Sequence, residues 1–533
     1  MVACLFAGLG AFGLVGPDEP RYAWIARAIA ETGDWVTPRL YGQPWFEKPI
    51  LYYWMAAIGF RLNLPPEWAA RLPSAFAALA ATVAIGWLGW KHYGGAKNSG
   101  GQATLLAPLI FSTSVAAIGF SRAATPDMLF SAFIALAMAC AAGVLANHQA
   151  LRSAESANSA ARPRDVITLA LFGAFLGLAV LAKGPAGLIL AAGAMGVWAL
   201  ATSRWQAAFR LAHPVAIGAF CVVALPWYIL CSARNPDFLR VFIFQHNFQR
   251  YLTPVFQHRQ PVWFFGWITL LAILPWSLLL IPAAREGLRL WREKSWVDSP
   301  GFFFACWALS PVLFFSASQS KLPGYILPAI PALALLCAVG ALRAFQKNRR
   351  TSILVSAGLG LTWVTIAILM FIQARRIPST DIGRVAPLLL TEAAIVIAIL
   401  LALAIVFAGA YQNLSAAAII SSLAVVAILI LANIAILPAL DPFLSARPDA
   451  AFLRHDLRPD RIFTFQLNRS WNYGLAFYFH RELPEWSPED PEPALVLTTH
   501  KGLEEIEKAG RFQGDLNETG TGIINVPVEP LPR

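Results

Sequence analysis

Long apolar segments separated by short polar loops fill most of this 533-residue chain. About 20 apolar residues in a row cross the hydrocarbon core of a bilayer as a helix, so the pattern predicts about thirteen membrane spans. These predicted spans cover residues 1–16, 69–90, 101–120, 126–147, 166–182, 186–202, 211–232, 262–283, 301–318, 322–342, 351–373, 385–410 and 414–437. Because 57% of the residues are hydrophobic and only 13% are charged, we predict an all-α polytopic membrane protein.

The first predicted span is short for a membrane helix and continues directly into Asp18 and Glu19. It carries no small-residue cleavage site, so the sequence does not predict a cleaved signal peptide. Two explanations stay open: the natural start lies upstream, or the helix is capped early.

Basic residues are concentrated in alternate loops. If the amino terminus is cytoplasmic, this distribution agrees with the positive-inside rule, and residues 17–66, 233–261 and everything after 438 lie outside. The net charge of +11 therefore reflects membrane topology and not binding to nucleic acid. All six cysteines fall inside predicted spans, without the spacing of a disulfide framework or a metal site.

The composition becomes polar and charged after Pro438. We predict a transmembrane domain over residues 1–438, with a structured external loop at 17–66, and a small external α/β domain over 439–533. The strands and helices predicted in the second domain cover residues 461–467, 494–499 and 523–527, and residues 472–480 and 502–510. The sequence has no Gly-rich phosphate loop or Walker motif, which argues against ATP-driven transport.

The external loop is predicted to hold two helices. Pro20 suits a first helical turn, and residues 21–31 form a helical pattern that Gly33 ends. A second helix is predicted over residues 48–60, on or in the membrane surface, because aromatic residues surround it. The loop is therefore predicted to cover a cavity.

Ionisable side chains recur at the external ends of the predicted spans, where carboxylates and cations are costly without water or partners. They are Asp18, Glu19, Arg21, Glu47, Lys48, Arg122, Asp127, Lys183, Arg250, His258, Arg259 and Lys321, and the phenol of Tyr325 lies beside them in the sequence. If the spans form a bundle, these groups meet in one cavity at the outer leaflet. Such a cavity suits a reaction on a phosphate-bearing lipid, with cations on the phosphate and carboxylates on the acceptor.

Most of these residues also have a structural interpretation. Asp18 could cap the following helix, and Glu47–Lys48 could be a surface pair worth about 0–1 kcal/mol. Lys183 could extend to the membrane interface, and His258 has no partner at metal-ligand spacing. Asp127, just inside a span, is harder to explain structurally, which favours a functional role.

The motifs in the first external loop resemble those of bacterial GT-C membrane glycosyltransferases, in the group that includes the lipid A 4-amino-4-deoxy-L-arabinose transferases and is related to protein O-mannosyltransferases. The motifs are Gly16-Pro17-Asp18-Glu19-Pro20-Arg21-Tyr22, Gly33-Asp34-Trp35-Val36-Thr37-Pro38, Phe46-Glu47-Lys48-Pro49 and Tyr52-Tyr53-Trp54. Further matches are Arg122 to Asp127, Ala182-Lys183-Gly184-Pro185, His246-Asn247-Phe248-Gln249-Arg250, His258-Arg259-Gln260-Pro261 and Ser320 to Pro328. The resemblance covers the whole chain.

The resemblance implies an inverting transferase that takes a sugar from a polyprenyl (undecaprenyl) phosphate, with no nucleotide sugar and no nucleic acid. The acceptor is lipid A or another glycolipid at the periplasmic face of the bacterial inner membrane. By analogy, Asp18 and Asp127 are the catalytic carboxylates, and five residues bind the donor phosphate or lipid: Lys48, Arg250, Arg259, Lys321 and Tyr325. The remaining six order the loop or position substrate: Glu19, Arg21, Glu47, Arg122, Lys183 and His258.

Several alternatives stay open. Superfamily members can carry a divalent metal, with Glu47 and His258 as candidate ligands here, although nothing in the sequence compels a metal. The transferred sugar could be a hexose, and the acceptor another glycolipid or a protein. A flippase or transporter for lipid-linked sugars is a different class, but it predicts repeated halves and charges in broken spans, and neither is visible. A membrane-embedded assembly subunit would explain the spans but not the charges on one side.

Overall fold

The computed structural model describes residues 1–93, 100–152, 163–253, 260–374, 392–456, 462–490, 492–512, 516–519 and 522–528. The chain divides into two compact units. The first unit comprises Met1–Ala7, Phe46–Tyr52 and Pro73–Ile430, and the second comprises Gly8–Trp45, Tyr53–Leu72 and Leu431–Arg533. The predicted domain boundary at residue 438 stays a prediction.

The protein is a multi-span membrane protein built almost entirely of helices. Among the described residues, seven helices are long and apolar enough to cross a membrane, or up to nine if each of two bent pairs is one span. The predicted number of about thirteen is therefore not confirmed. The seven are Pro66–Tyr93, Asp127–Leu145, Asp165–Lys183, Pro214–Arg234, Pro323–Lys347, Arg349–Ile372 and Leu414–Leu444. Shorter apolar helices are Ala186–Thr202, Pro300–Ser316 and Ala394–Ala410.

Two predicted spans are bent helix pairs. The span predicted at 101–120 bends by 62° between Thr104–Ser112 and Val115–Ser121. Ser114 is the N-cap of the second helix; its backbone is extended, and its Oγ accepts a hydrogen bond from Ala117 N. The span predicted at 262–283 bends by 112° between Phe264–Ala272 and Ser277–Arg292. Pro275 lies in this break, where its missing N–H removes a rung of the helical hydrogen-bond ladder.

The first predicted span is wrong as a continuous helix, since only Val2–Phe6 is helical at the start of the chain. The following segment, residues 8–17, is irregular and contains four glycines, and we call it the glycine segment. Gly8 and Gly16 have φ values of 76° and 66°, which L side chains rarely adopt. An apolar composition alone therefore does not make this segment a span.

The segment predicted to be an external loop contributes a helix over Asp18–Thr32 and a helix over Leu51–Arg61, which confirms the two helices predicted there. The first ends at Gly33, whose φ of 74° is left-handed and whose N–H donates to Ile29 O. Between them lies a two-stranded antiparallel hairpin, β1 (Arg39–Leu40) and β2 (Gln43–Pro44).

The carboxyl-terminal region folds as a small α/β structure, as predicted. Its strands are β3 (Ile462–Thr464), β4 (Ala494–Thr498), β5 (Asn517–Glu518) and β6 (Ile524–Val528), in the order β3-β4-β6-β5. β3 and β4 are parallel, with the helix Arg469–Phe479 between them in sequence, and the other pairs are antiparallel. The helix His500–Lys508 and two helices not predicted from hydropathy, Leu437–Leu444 and Arg447–Asp456, complete this region.

The remaining elements of the first unit connect or complete its spans. They are Gly100–Ser112, Asp127–Arg152, Pro163–Lys183, Trp205–Phe209, the 3-10 turn Arg210–Ala212, the π-helix Arg240–Gln249, Arg250–Leu252, Leu280–Arg292, Trp296–Asp298, Pro323–Ala329, Ile330–Lys347, Arg349–Ala374, Glu392–Ala410 and Leu414–Leu431.

Candidate functional site

A cavity of 320 Å³ in the first unit has charged side chains and aromatic walls. Its polar lining comes from the short segment that carries Glu47 and Lys48, from the end of a membrane helix at Lys183, and from the π-helix. Its apolar lining includes Ile189, Phe242, Phe248, Leu252, Phe314 and Phe315, with the rings of Tyr251 and Tyr325. The cavity therefore offers cations and a wide apolar surface to the same ligand.

Asp127 and Lys183 form an ion pair where two helices reach the same end of the first unit. Asp127 begins the helix Asp127–Arg152, Lys183 ends the helix Pro163–Lys183, and the Lys183 ammonium donates to Asp127 Oδ1. The side chains are 19% and 14% exposed, and the ammonium lies 4.8 Å from the centroid of the Tyr325 ring. Three predicted site residues thus meet here, and Lys183 does not simply extend to the interface.

Glu47 and Lys48 form a second ion pair at the cavity. Lys48 Nζ donates to Glu47 Oε1 at 2.8 Å, and the side chains are only 15% and 12% exposed. The preceding Phe46 is buried and packs edge-on against Phe238, with 5.2 Å between the ring centroids. A solvent-screened surface pair is therefore the wrong interpretation of these two residues, because both line the cavity.

The aromatic wall was not predicted as a site. Two of its rings, Phe242 and Phe248, come from the π-helix Arg240–Gln249, a form often found at functional sites. Phe242 stacks on Phe238, and Asn247 Nδ2 donates to Phe242 O at 2.7 Å. Nearby, Tyr251 donates its hydroxyl to Phe314 O at 2.9 Å, and burial raises the pKa of Tyr251, so this phenol stays neutral.

Gly184 allows the close contact between the end of Pro163–Lys183 and the π-helix. Its φ of 93° is unfavourable for any other residue. A Cβ atom there would lie 2.9 Å from Phe242 Cζ and 3.2 Å from Asn247 Oδ1. The glycine therefore sets how closely Lys183 approaches the aromatic wall.

We expect Gly184→Ala to destabilise the cavity. The strained backbone and the contact with Phe242 should lower the free energy of unfolding by about 1–3 kcal/mol. The matched control is Gly196→Ala, in the helix Ala186–Thr202, where an added Cβ meets no atom within 4 Å. Thermal unfolding of the detergent-solubilised protein measures both variants, and equal midpoints for the two would contradict this role of Gly184.

Two other predicted residues make internal contacts. Arg122 donates to Cys4 O at 2.7 Å and to Ala7 O at 3.1 Å, so it holds the first helix of the chain. Lys321 is buried and donates to Ser318 O at 2.5 Å, and it is not among the residues that line the cavity. Their predicted roles in substrate positioning and donor binding stay predictions.

The remaining basic residues of the predicted site fall largely outside the described residues. His258 and Arg259 lie in an undescribed stretch, and Arg250 begins the short helix Arg250–Leu252. Across the described parts of the chain, no group of three or more His, Cys, Asp or Glu side chains could hold a metal ion. His258 was predicted as a candidate metal ligand or as a loop-ordering residue. Because it lies outside the described residues, both roles stay predictions.

Asp18 lies in the second unit, at the first position of the helix Asp18–Thr32, and the N-cap of that helix is Pro17. The predicted alternative of a capping aspartate is therefore wrong for this helix. Asp18 Oδ1 accepts a hydrogen bond from Arg21 Nη2 at 2.5 Å, and its side chain is 53% exposed. The buried Arg21 guanidinium lies 5.3–5.5 Å from the rings of Tyr22, Trp45 and Tyr473. The exposed carboxylate of Asp18 is thus held in place by the buried guanidinium of Arg21.

Arg71 is a further residue of this region that the sequence analysis missed. It is fully buried, and its Nη2 donates to Glu19 Oε2 at 2.7 Å. Glu19 therefore pairs with a residue that had not been named, and its predicted role in ordering the loop stays a prediction. Arg71 lies inside the span predicted at 69–90, where an ionisable residue is itself a signal of function or buried pairing.

Comparisons with known proteins confirm the resemblance inferred from the motifs. Residues 4–242 match the family model described as dolichyl-phosphate-mannose-protein mannosyltransferase. Undecaprenyl phosphate-alpha-4-amino-4-deoxy-L-arabinose arabinosyl transferase of Edwardsiella ictaluri is 32% identical over 323 residues, covering 60% of this chain and 54% of that protein. The corresponding transferase 1 of Sodalis glossinidius is 32% identical over 358 residues, covering 67% and 60%. The chain spans little more than half the length of the curated relatives it matches.

The fold is also found in a solved structure. The crystal structure of ArnT from Cupriavidus metallidurans bound to undecaprenyl phosphate matches with a TM-score of 0.77, 22% identity, and coverage of 99% of this chain and 96% of that one. The same protein in the apo state matches with a TM-score of 0.76. The chain therefore has the ArnT fold.

Proposed function

We propose that this protein is an inverting glycosyltransferase that moves a sugar from a polyprenyl phosphate to an acceptor at the periplasmic face of the bacterial inner membrane. The proposed transfer is of 4-amino-4-deoxy-L-arabinose from undecaprenyl phosphate to lipid A. The observation that carries the proposal is the cavity that combines Lys48 and Lys183 with an aromatic wall. Relatives named for an undecaprenyl phosphate-linked aminoarabinose support the choice of donor.

The cavity chemistry suits a lipid phosphate that becomes a leaving group. In a single displacement, the acceptor oxygen bonds to the anomeric carbon as the bond from that carbon to the phosphate oxygen breaks. The electron pair stays on the polyprenyl phosphate, whose negative charge increases. Cations already in place stabilise that charge without reorganisation, and we assign this role to Lys48 and Lys183.

The carboxylates have roles that depend on the acceptor. A lipid A phosphate oxygen is already ionised, so Asp18 and Asp127 would then position the aminosugar and stabilise positive charge at the anomeric carbon. A hydroxyl acceptor must lose its proton, and one carboxylate would act as general base. We propose Asp18 for contact with the acceptor, because it is the more exposed of the two.

Mass spectrometry of lipid A tests the function directly. Cells that carry the gene should show lipid A heavier by one aminopentose, cells without it should not, and the Asp18→Asn variant should behave like cells without it. Unchanged lipid A in all three strains would reject aminoarabinose transfer to lipid A. A hexose on another glycolipid or on a protein would then be the outcome to look for in the same extracts.

Lys48→Ala is expected to weaken donor binding. A hydrogen bond to a charged group contributes about 1.5–3 kcal/mol, so the KM for the polyprenyl phosphate sugar should rise about 10- to 100-fold. Initial rates against donor concentration measure this effect, and the matched control is Lys347→Ala, an exposed lysine of the same unit. An unchanged KM in Lys48→Ala would exclude Lys48 from the phosphate site.

A further inference from the structure

The glycine segment, residues 8–17, leads directly into Asp18 and has little regular secondary structure. Leu9 and Leu14 are nearly or completely buried, so the backbone around them needs hydrogen-bond partners other than water. Backbone partners are few in this segment: Ala11 N donates to Gly8 O, and Val15 forms an isolated antiparallel bridge with Ser445. Most of the other partners come from side chains. The side chains that supply these hydrogen-bond partners therefore fix the position of Asp18.

Arg71 provides the first set of partners. Its guanidinium donates to Leu9 O at 2.7 Å, Phe12 O at 2.9 Å and Gly13 O at 2.7 Å. The same guanidinium binds Glu19, whose Oε2 also accepts from Val15 N at 2.8 Å. The segment is thus tied to Glu19, the residue beside Asp18.

The carboxyl-terminal region provides the second set. Asp441 Oδ1 accepts from Gly13 N at 2.7 Å. Arg447 donates to Asp441 Oδ2 at 2.7 Å and to Gly10 O at 3.2 Å. These charged side chains bind the backbone of the segment. The acidic and basic side chains are also paired with each other.

Tyr478 bridges the segment to the start of a membrane helix. Its hydroxyl accepts from Leu14 N at 2.8 Å and donates to Glu67 Oε1 at 2.9 Å. Burial, and next the neighbouring Glu67 carboxylate, raise the pKa of Tyr478, so the group stays a phenol that can donate and accept at once. Leu14 is four residues from Asp18, so this contact fixes the chain close to the carboxylate.

The packing leaves the segment little freedom to move. A Cβ atom on Gly13 would lie 2.3 Å from Ser445 Oγ and 2.8 Å from the Tyr478 hydroxyl. Both contacts are again with the carboxyl-terminal region. The backbone at Gly13 therefore lies directly against the residues that hold it.

We propose that Asp441, Arg447 and Tyr478 are positioning residues for Asp18, which gives the carboxyl-terminal region a part in the transfer reaction. They act through the glycine segment and contact no substrate. This inference rests on the proposed function, in which Asp18 serves the reaction. A displacement of about 1 Å in a reacting group can lower a rate about 100-fold, so loss of one contact should be measurable.

The test compares Tyr478→Phe and Arg447→Gln with wild type. Tyr478→Phe keeps the ring and removes only the hydroxyl. We expect kcat per folded molecule to fall about 10- to 100-fold, with an unchanged KM for the donor, because the cavity is lined by first-unit residues. The matched control is His500→Gln, which removes an exposed pair with Glu518 in the same region and should leave kcat unchanged. A merely structural role would lower the yield or the unfolding midpoint without changing kcat per folded molecule, and that result would overturn the proposal.

Hydrogen exchange separates this inference from the proposed function. In Tyr478→Phe, amides of residues 9–18 should exchange faster than in wild type, while those of the helix Ala186–Thr202 should not change. Unchanged exchange in residues 9–18 would overturn the inference even if the wild type transfers sugar. Faster exchange together with a wild type that transfers no sugar would overturn the proposed function and support the contact network itself.

Discussion

Asp18→Asn is expected to abolish sugar transfer while the protein still folds. A carboxylate that removes a proton or stabilises developing charge contributes about 10²- to 10⁴-fold to the rate, so kcat should fall within that range. Folding should tolerate the change, because the side chain is 53% exposed and the residue is not the N-cap. The main expected stability effect is loss of a favourable charge in the first helical turn, worth about 0.3–1 kcal/mol.

A matched control lies on the same helix. Glu31→Gln removes another exposed carboxylate of Asp18–Thr32, one that pairs loosely with Arg27 at 3.8 Å. Turnover of a purified polyprenyl phosphate sugar by wild type and both variants, normalised to folded protein, measures the effect. Near-normal turnover in Asp18→Asn would remove Asp18 from the mechanism, and an equal loss in Glu31→Gln would point to a general effect of charge on the helix.

The ion pair between Asp127 and Lys183 allows a second test through a double substitution. Lys183→Met alone leaves a mostly buried carboxylate without its partner, which should cost about 3–5 kcal/mol of stability. The double variant Asp127→Asn with Lys183→Met removes both charges, so its stability should return towards that of wild type. Its activity should stay low, by about 10²- to 10³-fold, because preorganised charge at the leaving phosphate is lost.

Comparing these variants separates an effect on stability from an effect on the transfer rate. Thermal unfolding and transfer rates are measured for the two single variants and the double variant. The control is Arg240→Gln with Asp237→Asn, an exposed pair at 2.9 Å that should affect neither quantity strongly. If activity returns in the Asp127–Lys183 double variant together with stability, the pair has a structural role only.

Local patterns in the sequence predicted several helices and two strands well. The helix Ala186–Thr202 matches its predicted span because Gly184-Pro185 and Ser203-Arg204 interrupt the apolar run at both ends. The strands β4 and β6 were recognisable from short β-branched runs. Asp127 and Lys183 stood out because ionisable residues at the ends of apolar runs are rare.

Features that depend on tertiary contacts were not predictable in the same way. Hydropathy averages over a window, so it joined the two halves of the span at 262–283 across a 112° bend. It also hid Arg71 inside an apolar run, although that residue has five oxygen partners in the fold. The pairing of Asp441 with Gly13 joins residues 428 positions apart, and no local pattern records it.

That long separation has a consequence for the order in which the protein matures. The glycine segment is made first, but Asp441, Arg447 and Tyr478 lie near the end of or beyond Leu414–Leu444, the last of the seven long apolar helices among the described residues. Until then the backbone of residues 8–17 has only its contacts with Arg71 and Glu19, because the other partners must close a very long loop. The support of Asp18 is therefore completed last, so an incomplete chain in the membrane would hold this carboxylate only through the early contacts of Arg21, Arg71 and Glu19.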